Sequence, residues 1–470
     1  MVKQTIQVDI CIIGGGPAGS TIAYRLVSLG YKVCLLEAKT FPRPHVGMSL
    51  TPAVLSLLET INARKLIENA NFLSVESSLV WWTGKNPRAK AQQEGKGLHV
   101  DRGEFDQLLL NHAQQHGAQV LQATRAKTPK KIECGLWETP LHSAGEIKSI
   151  LSHFIVDASG GRSILKQKKR RLSPALFSIY AYWHTPTQTI TDGAIEAGTD
   201  EWYWFAQVNP EKAISAVFID PKRIGKNSSL TLKQMYLEQI DNFKLFQSNR
   251  NKTIIGDVHA CDASSWGIEN PVGKDFIHIG NSSFSMDPLS SQGVQAALIS
   301  AFQAAVVINT LLRYPQNKPY ALSFYKERHQ ETIQRYTTKT ADFYAERAKV
   351  CDTYFWRERA SKEPAKEVFQ PIQTPLDPQC KIELSKMATM ETMAVMVEDQ
   401  IIPKLTLQHQ NLERPISYLG GVEIVPLLQQ LQTGQSIQTM IEGWAKKMPQ
   451  HLCFEIIDWL WQRQIIVLRK

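Results

Sequence analysis

Gly14, Gly16 and Gly19 are spaced G-x-G-x-x-G between an apolar run and a segment of helical periodicity. Chemistry on a pyrophosphate calls for this arrangement. Gly14 permits a tight turn, Gly16 lets the backbone approach the phosphates, and Gly19 lets a helix pack closely on a strand. Pro17 and Ala18 complete the turn, and the start of the helix offers free N–H groups and a partial positive charge. Glu37 follows at the end of the next apolar run, where a carboxylate accepts from a ribose hydroxyl. Arg43, in a connection holding Pro42 and Pro44, is placed to reach the phosphates or the ribose of the same ligand. The residues predict a dinucleotide site. The chain shows no second fingerprint of this kind, so a nicotinamide nucleotide has no domain of its own.

The elements that must position these groups follow from periodicity. Val8 to Ile13 reads as a strand buried on both faces; Ile22, Ala23, Leu26 and Val27 recur at helical spacing; Gly30 ends the helix; Val33 to Leu36 is a second strand. Ser78 to Thr83 is a strand-like aromatic run. Asp101 to Glu104 has the form of a capping box opening a helix with Phe105, Leu108, Leu109 and Leu110. Phe154 to Val156 leads into the glycine turn 157–162. From 175 to 266 strand-like segments rich in aromatics dominate, which predicts a largely antiparallel sheet in a second domain. Phe276 to Gly280 is again a strand ending in glycine, followed by a loop and a long helix. Residues 363–378 hold four prolines and read as a linker. Beyond it come helices at 424–431, 437–444 and 452–461 and a final strand, Ile465 to Leu468.

The fold class expected is therefore α/β: a Rossmann-like nucleotide-binding domain (1–76, 97–174 and 268–360), an inserted, mainly antiparallel β substrate domain (77–96 and 175–267), a linker (361–381), and a small helical, winged-helix-like C-terminal domain (382–470). Trp81, Trp82, Trp183, Trp202 and Trp204 are the candidates for lining an apolar, aromatic-binding pocket.

Composition narrows the partners. The chain has 470 residues, 43% hydrophobic and 21% charged, with net charge +9. Its seven cysteines are scattered, without metal-ligand spacing, so no metal site is expected. No basic, apolar and cleavage-site series opens the chain, which predicts a cytoplasmic protein. The most apolar helix, 294–312, is broken by Gln295, Ser300, Gln303 and Asn309 and is not read as a membrane span. The basic run Lys166 to Arg171 reads first as a solvated loop. The final helix carries acids and few cations, so neither nucleic acid nor membrane is expected as a partner.

In this order, several motifs resemble the flavoprotein monooxygenase family of p-hydroxybenzoate hydroxylase, within it the branch that includes the FAD-dependent halogenases. They are GGGPAG (14–19), Glu37, RPHVGMSLTP (43–52), HVDRGEFD (99–106), DASGGRS (157–163), WYW (202–204) and GNSSFSMDPLSSQG (280–293). The resemblance implies FAD as cofactor. It implies contacts to FAD from Arg102, Asp157, Gly280, Asn281, Pro288, Ser291, Gln292 and Gly293, beside Gly14, Gly16, Pro17, Ala18, Gly19, Glu37 and Arg43. The runs 343–348 (FYAERA) and 354–359 (YFWRER) and the helical tail resemble the flavoproteins that mature tryptophylquinone enzymes.

That resemblance implies hydroxylation of an electron-rich aromatic, indole- or tryptophan-like, through a flavin C4a-hydroperoxide. The substrate is a small molecule or a tryptophan-bearing peptide or protein. O2 is the oxidant, and NAD(P)H or a separate flavin reductase is the electron source. The alternatives are halogenation of an aromatic and, second, reduction of an isoprenoid. The halogenase lysine is expected near the strand 78–82, which has none; Lys85 is the nearest, and Lys85, His45 and Asp287 stand as catalytic candidates. The family's Gly-Asp is Gly280-Asn281 here, and its W-x-W-x-I-P is 202–207 with only the first half kept.

Overall fold

A computed structural model describes residues 4–92, 95–142, 147–185, 193–224, 230–247, 252–361, 369–373, 376–431 and 434–469. Two compact units form, residues 1–312 with 325–364 and residues 313–324 with 365–470.

The first unit is built on a parallel sheet. Strand Gln4–Ile13 pairs in parallel with Ile147–Asp157 on one side and Val33–Leu36 on the other. Beyond these, Val33–Leu36 pairs with Gln119–Leu121, and Ile147–Asp157 with Phe276–His278, again in parallel. The register brings Leu121, Leu36, Ile13, Asp157 and His278 level at their carboxyl ends. Strands buried on both faces must be apolar throughout, and Val33–Leu36 is buried at all four residues. Loops that leave the aligned ends share one edge, where ligands bind in open α/β sheets.

The second sheet of this unit runs in the order Thr253–Asp262, Phe177–His184, Lys212–Ile219, Glu201–Asn209, Gly193–Ala197, Ser77–Trp81, Arg88–Ala91. Every pairing is antiparallel except that of Gly193–Ala197 with Ser77–Trp81. Alternation sorts its aromatics. Tyr203, Phe205 and Trp183 face helix Leu232–Ile240 and pack with Tyr236 and Phe243. Trp202, Trp204 and Phe218 face the other way, into a cluster with Trp82, Tyr344, Phe355 and Trp356. The last three come from the ends of helices Lys318–Ala348 and Tyr354–Arg359.

Helix Gly293–Arg313 is long and apolar enough to cross a membrane, yet 61% of its most apolar window is buried within the protein. Leu298, Ala301, Ala304, Val307 and Ile308 are enclosed, as in a core helix.

The second unit contains helices Val425–Gln429, Ile437–Trp444 and Gln450–Gln462 and the final strand Ile466–Leu468. It also contains a hairpin of two nine-residue strands, Thr389–Val397 with Gln400–Gln408, in a tail expected to be mostly helical. Val395, Val397, Ile401 and Ile402 favour a strand. Glu398, at φ 51°, begins the tight turn. Met390, Met393 and Met396 recur every third residue, closer to a helical than to a strand period.

Trp356 is fully enclosed and donates its indole N–H to the Thr199 carbonyl at 2.7 Å. Trp356→Ala should lower the stability of the first unit by about 3–5 kcal/mol in urea unfolding, while Tyr354→Ala, at an exposed site of the same helix, should cost less than about 0.5 kcal/mol.

Candidate functional site

The loops at the carboxyl ends of the parallel strands and the Trp202 face of the second sheet enclose one cavity of about 1110 Å³. Pockets for small molecules hold roughly 300–1,000 Å³, so the space suits a large, extended ligand.

At one end lie Gly14, Gly16, Pro17, Ala18, Glu37, Lys39, Arg43 and Arg102. Gly14 has φ 113°, and a Cβ there would lie 2.2 Å from the Ala158 carbonyl oxygen. A Cβ on Gly19 would lie 1.9 Å from the Gly14 carbonyl oxygen. Gly19 therefore does not line the cavity; it permits the helix to meet the turn. Around Gly16 the nearest atom a Cβ would meet is Arg43 Nη2 at 3.7 Å, and around Gly160 and Gly293 there is nothing within 4 Å. These three backbones face open cavity.

Glu37 is buried, accepting from the N–H groups of Gly15 and Lys39, both at 2.9 Å. Arg102 opens helix Arg102–Gln115, and Asp101 caps that helix by accepting from the Gly103 N–H. Its guanidinium binds Asp106 through Nε (2.9 Å) and Nη2 (3.1 Å) and donates from Nη1 to the Val46 carbonyl (3.0 Å). Arg43 lies 3.6 Å from Asp106 and 4.0 Å from Glu37, with its cation over the Phe41 ring. His45 lines the mouth, its Nδ1 2.7 Å from the Val46 carbonyl. Lys39, Arg43, Arg102 and Arg162 give this end cations that suit phosphate oxygens.

Toward the other end lie Gly280, Asn281, Pro288, Ser291, Gln292 and Gly293, facing Tyr180, Trp202, Trp204, Ala216 and Phe218. Ser291 has φ 51°, which turns the chain from the short 3-10 turn Pro288–Ser290 toward helix Gly293–Arg313. The Trp202 and Phe218 rings stack at 3.7 Å between centroids and 10° between planes.

Besides Gly19, six expected site residues lie off the cavity lining, Asp287 among them. Asp157 is enclosed behind the lining residues Ala158 to Arg162. It accepts from Ser159, Ser163 and Leu165 and lies 3.4 Å from His278 Nδ1. Burial raises its pKa, but His278, Ser159 and Leu165 together outweigh that and bring it down to about 2. Asp157 thus holds the lining loop instead of the ligand. Trp183 points to the opposite sheet face, donating to Ser215 and Tyr236, because the strand period places it with Tyr203 rather than Trp202. Trp81 is half-buried, with the Lys244 ammonium over its ring. Trp82 packs behind the cavity wall on Trp356, 5.3 Å between centroids. Lys85 is exposed in the turn between Ser77–Trp81 and Arg88–Ala91.

Asp287 is also one layer back from the cavity. It is buried, caps the turn Pro288–Ser290 by accepting from the Leu289 N–H (3.0 Å), and accepts from the Tyr344 hydroxyl (2.9 Å). Tyr344 in turn accepts from the Trp202 indole N–H at 3.1 Å. Burial lifts the Asp287 carboxyl to about 6, against the opposing pull of Leu289, Tyr344 and the Arg359 charge.

Tyr180 belongs to the aromatic strand segments that the sequence marks; Phe218 and Tyr344 are not marked by it as lining the pocket. Alternation with Trp202 along the paired strands identifies Phe218 and Tyr180. Tyr344 has a weaker signal, an aromatic in the FYAERA run.

Residues 7–172 match the FAD binding domain family. The chain is 27% identical over 365 residues to a tryptophan 2-halogenase of Chondromyces crocatus, covering 74% of this chain and 69% of that one. It is 27% identical over 333 residues to a 1H-pyrrole-2-carbonyl-[peptidyl-carrier protein] chlorinase of Pseudomonas fluorescens, covering 62% and 74%. In structure it is similar to CmlS, a flavin-dependent halogenase, at TM-score 0.80 and 20% identity over 98% of this chain and 96% of that one. The peptidyl tryptophan dihydroxylase QhpG, essential for tryptophylquinone cofactor biogenesis, is similar at TM-score 0.76 and 22% identity over 97% and 99%. FAD fits the cavity: glycine backbones open on it at three places, and cations and a carboxylate gather at one end.

Two outcomes follow from this geometry. Gly16→Val introduces a side chain into the cradle whose Cβ would have, beyond its chain neighbours, Arg43 Nη2 as nearest atom at 3.7 Å. The variant should fold with wild-type circular dichroism and purify without FAD absorbance. Asp287→Asn removes a carboxyl whose folded pKa is raised, so the wild type loses stability as pH rises from the ordinary carboxylate range through about 6. The difference in stability, variant minus wild type, should grow by about 2 kcal/mol between pH 4 and pH 7 and stay flat above, read as urea midpoints across that range.

Proposed function

We propose that this chain, an FAD-dependent oxidoreductase of the monooxygenase and halogenase family, hydroxylates an electron-rich aromatic of indole or tryptophan type, free or carried on a peptide. The observation that carries the reading is the cavity wall of Trp202, Phe218, Trp204 and Tyr180 opposite the loop 287–293. It is an aromatic surface in which Tyr180 and Trp204 are partly exposed and Trp202 and Phe218 are buried at its edge.

Glu37 would hold the ribose of FAD, and the N-terminus of helix Pro17–Ser28 with Arg43 its phosphates. Gly280, Asn281 and the loop 288–293 would hold its flavin half, with the N-terminus of helix Gly293–Arg313 favouring negative charge. When bound, FAD supplies activation of O2 toward an electron-rich carbon. The chain's own task is to present that carbon, keep water out and hold charge at the helix N-terminus.

Halogenation is the second reading, and the names of the relatives above favour it. Against it stands the composition of the wall: among the described lining residues the one lysine is Lys39, at the Glu37 end, and Trp202, Phe218, Trp204 and Tyr180 bring no cation. The family resemblance requires a lysine to hold hypohalous acid.

Loaded enzyme should be supplied with NADH, a flavin reductase, air and either indole or a tryptophan-bearing peptide, with and without bromide. Product mass gains of whole oxygen atoms, unchanged by bromide, are expected. A bromine isotope pair that appears only with bromide would overturn hydroxylation in favour of halogenation.

A further inference from the structure

We propose that Tyr344 and Asp287 are positioning residues for the aromatic wall, the chain of hydrogen bonds Trp202–Tyr344–Asp287 fixing both the Trp202 ring and its tie to the loop 287–293. This rests on reading the cavity as the site where an aromatic is oxidised.

Three separate elements meet in this chain. Trp202 lies on strand Glu201–Asn209, Tyr344 on helix Lys318–Ala348, and Asp287 at the cap of the turn Pro288–Ser290. The indole N–H donates to the Tyr344 hydroxyl at 3.1 Å, and that hydroxyl donates to Asp287 at 2.9 Å. All three side chains are buried, at 1%, 2% and 4% exposure. A stacked ring pair such as Trp202 and Phe218 resists tilting but allows sliding in plane. The edge-on hydrogen bond from Nε1 removes that freedom.

The same carboxylate caps the turn that carries Pro288 and Ser291 into the cavity. One side-chain chain therefore holds both walls between which a substrate ring would lie. Displacement by a fraction of an ångström matters to a reaction whose partners must sit in near-attack contact.

A buried carboxylate is unfavourable without strong partners. Tyr344 from its helix, Leu289 from the capped turn and Arg359 from helix Tyr354–Arg359 are the groups that act on it. Arg359 itself donates to the carbonyls of Phe355 and Ala175. Burial lifts the Asp287 carboxyl to about 6 against the pull of these three groups, and Tyr344 is the link that carries its change of charge to Trp202.

The test uses the FAD-loaded full chain with tryptophan indoles labelled with 15N. Trp202→Phe identifies the Trp202 resonance by its loss. In wild type that resonance should shift with pH around a midpoint near 6. In Tyr344→Phe the shift should vanish and solvent exchange of the indole N–H should rise at least about tenfold, one lost hydrogen bond's worth.

With indole as the probe, the ratio of product to released peroxide should fall about tenfold in Tyr344→Phe at unchanged FAD content, a tenfold loss corresponding to about 1.4 kcal/mol of misplaced geometry. Tyr344→Phe that keeps FAD, the pH-dependent resonance and the product ratio overturns the proposal. Should Tyr344→Phe not hold FAD, Trp202→Phe decides, since it keeps a ring in the wall and removes the donor. An unchanged product ratio there overturns the proposal equally. A wild type that oxidises no aromatic refutes the proposed function, while the indole resonance still decides the positioning role.

Discussion

Backbone meets backbone at the centre of the first unit, and most of the site follows from that contact. The Gly14 carbonyl occupies the space a side chain on residue 19 would need, and the Ala158 carbonyl occupies the space of one on residue 14. No residue with a Cβ allows a strand end, a helix start and the neighbouring strand's loop to converge so closely. Because they converge, the free N–H groups of helix Pro17–Ser28 open on the same cavity as the loop 158–162. Asp157 fixes the other side of this junction. Its carboxylate, enclosed and fully engaged, gathers the backbone of residues 159 and 165 and the hydroxyls of Ser159 and Ser163. The cost of burying a charge is offset by this set of donors, and the lining loop has little freedom left.

The second sheet solves a different problem. It must present aromatic surface to the cavity and still have a core of its own. The strand period does both, with Trp202 and Trp204 toward the cavity and Tyr203 and Phe205 toward helix Leu232–Ile240. The ends of two helices, through Tyr344, Arg347 and Trp356, then cover the cavity-side cluster from behind. Arg347 donates to the carbonyls of Trp82 and Gly198, and Trp356 to that of Thr199. Hydrogen bonds to strand-end carbonyls hold these helices where apolar contact alone would leave them free to slide.

Much of this was legible in the residues. The nucleotide end reads directly because glycines with a steric reason, a strand before them and an acid after them are local signals. Glu37, Arg43, Arg102 and the loop 288–293 stand in the cavity where the motifs anticipated them. Residue type and nearness to a motif point to Trp81, Trp82 and Trp183, whereas the side of the sheet each takes depends on strand register. Asp157 and Asp287 turn away from the cavity because their carboxylates accept from the loops that follow them, and Lys85 falls in the turn after its strand. Counting by two from Trp202 across the paired strands selects Tyr180 and Phe218 and rejects Trp183. No such count reaches Tyr344, which approaches from a helix more than a hundred residues away in the chain. The hairpin 389–408 was hidden for a related reason, since Met and Leu serve helix and strand alike.

The nucleotide end is assembled from backbone and fixed charges, and its demands are those of any ribose and pyrophosphate; it carries no preference for one oxidation over another. The opposite end is assembled from side chains whose identity can change without disturbing the parallel sheet. A lysine in place of one wall aromatic would give that end a cation to hold a halide-derived oxidant, and the strands would still pair. The wall has instead a buried tryptophan tied through Tyr344 to an acid, an apolar surface without a cation. Likeness of fold between this chain, CmlS and QhpG is therefore compatible with different products. Between Trp202 and Asp287 stands a hydrogen-bonded relay that ends on a carboxyl, and none of its three side chains carries a positive charge.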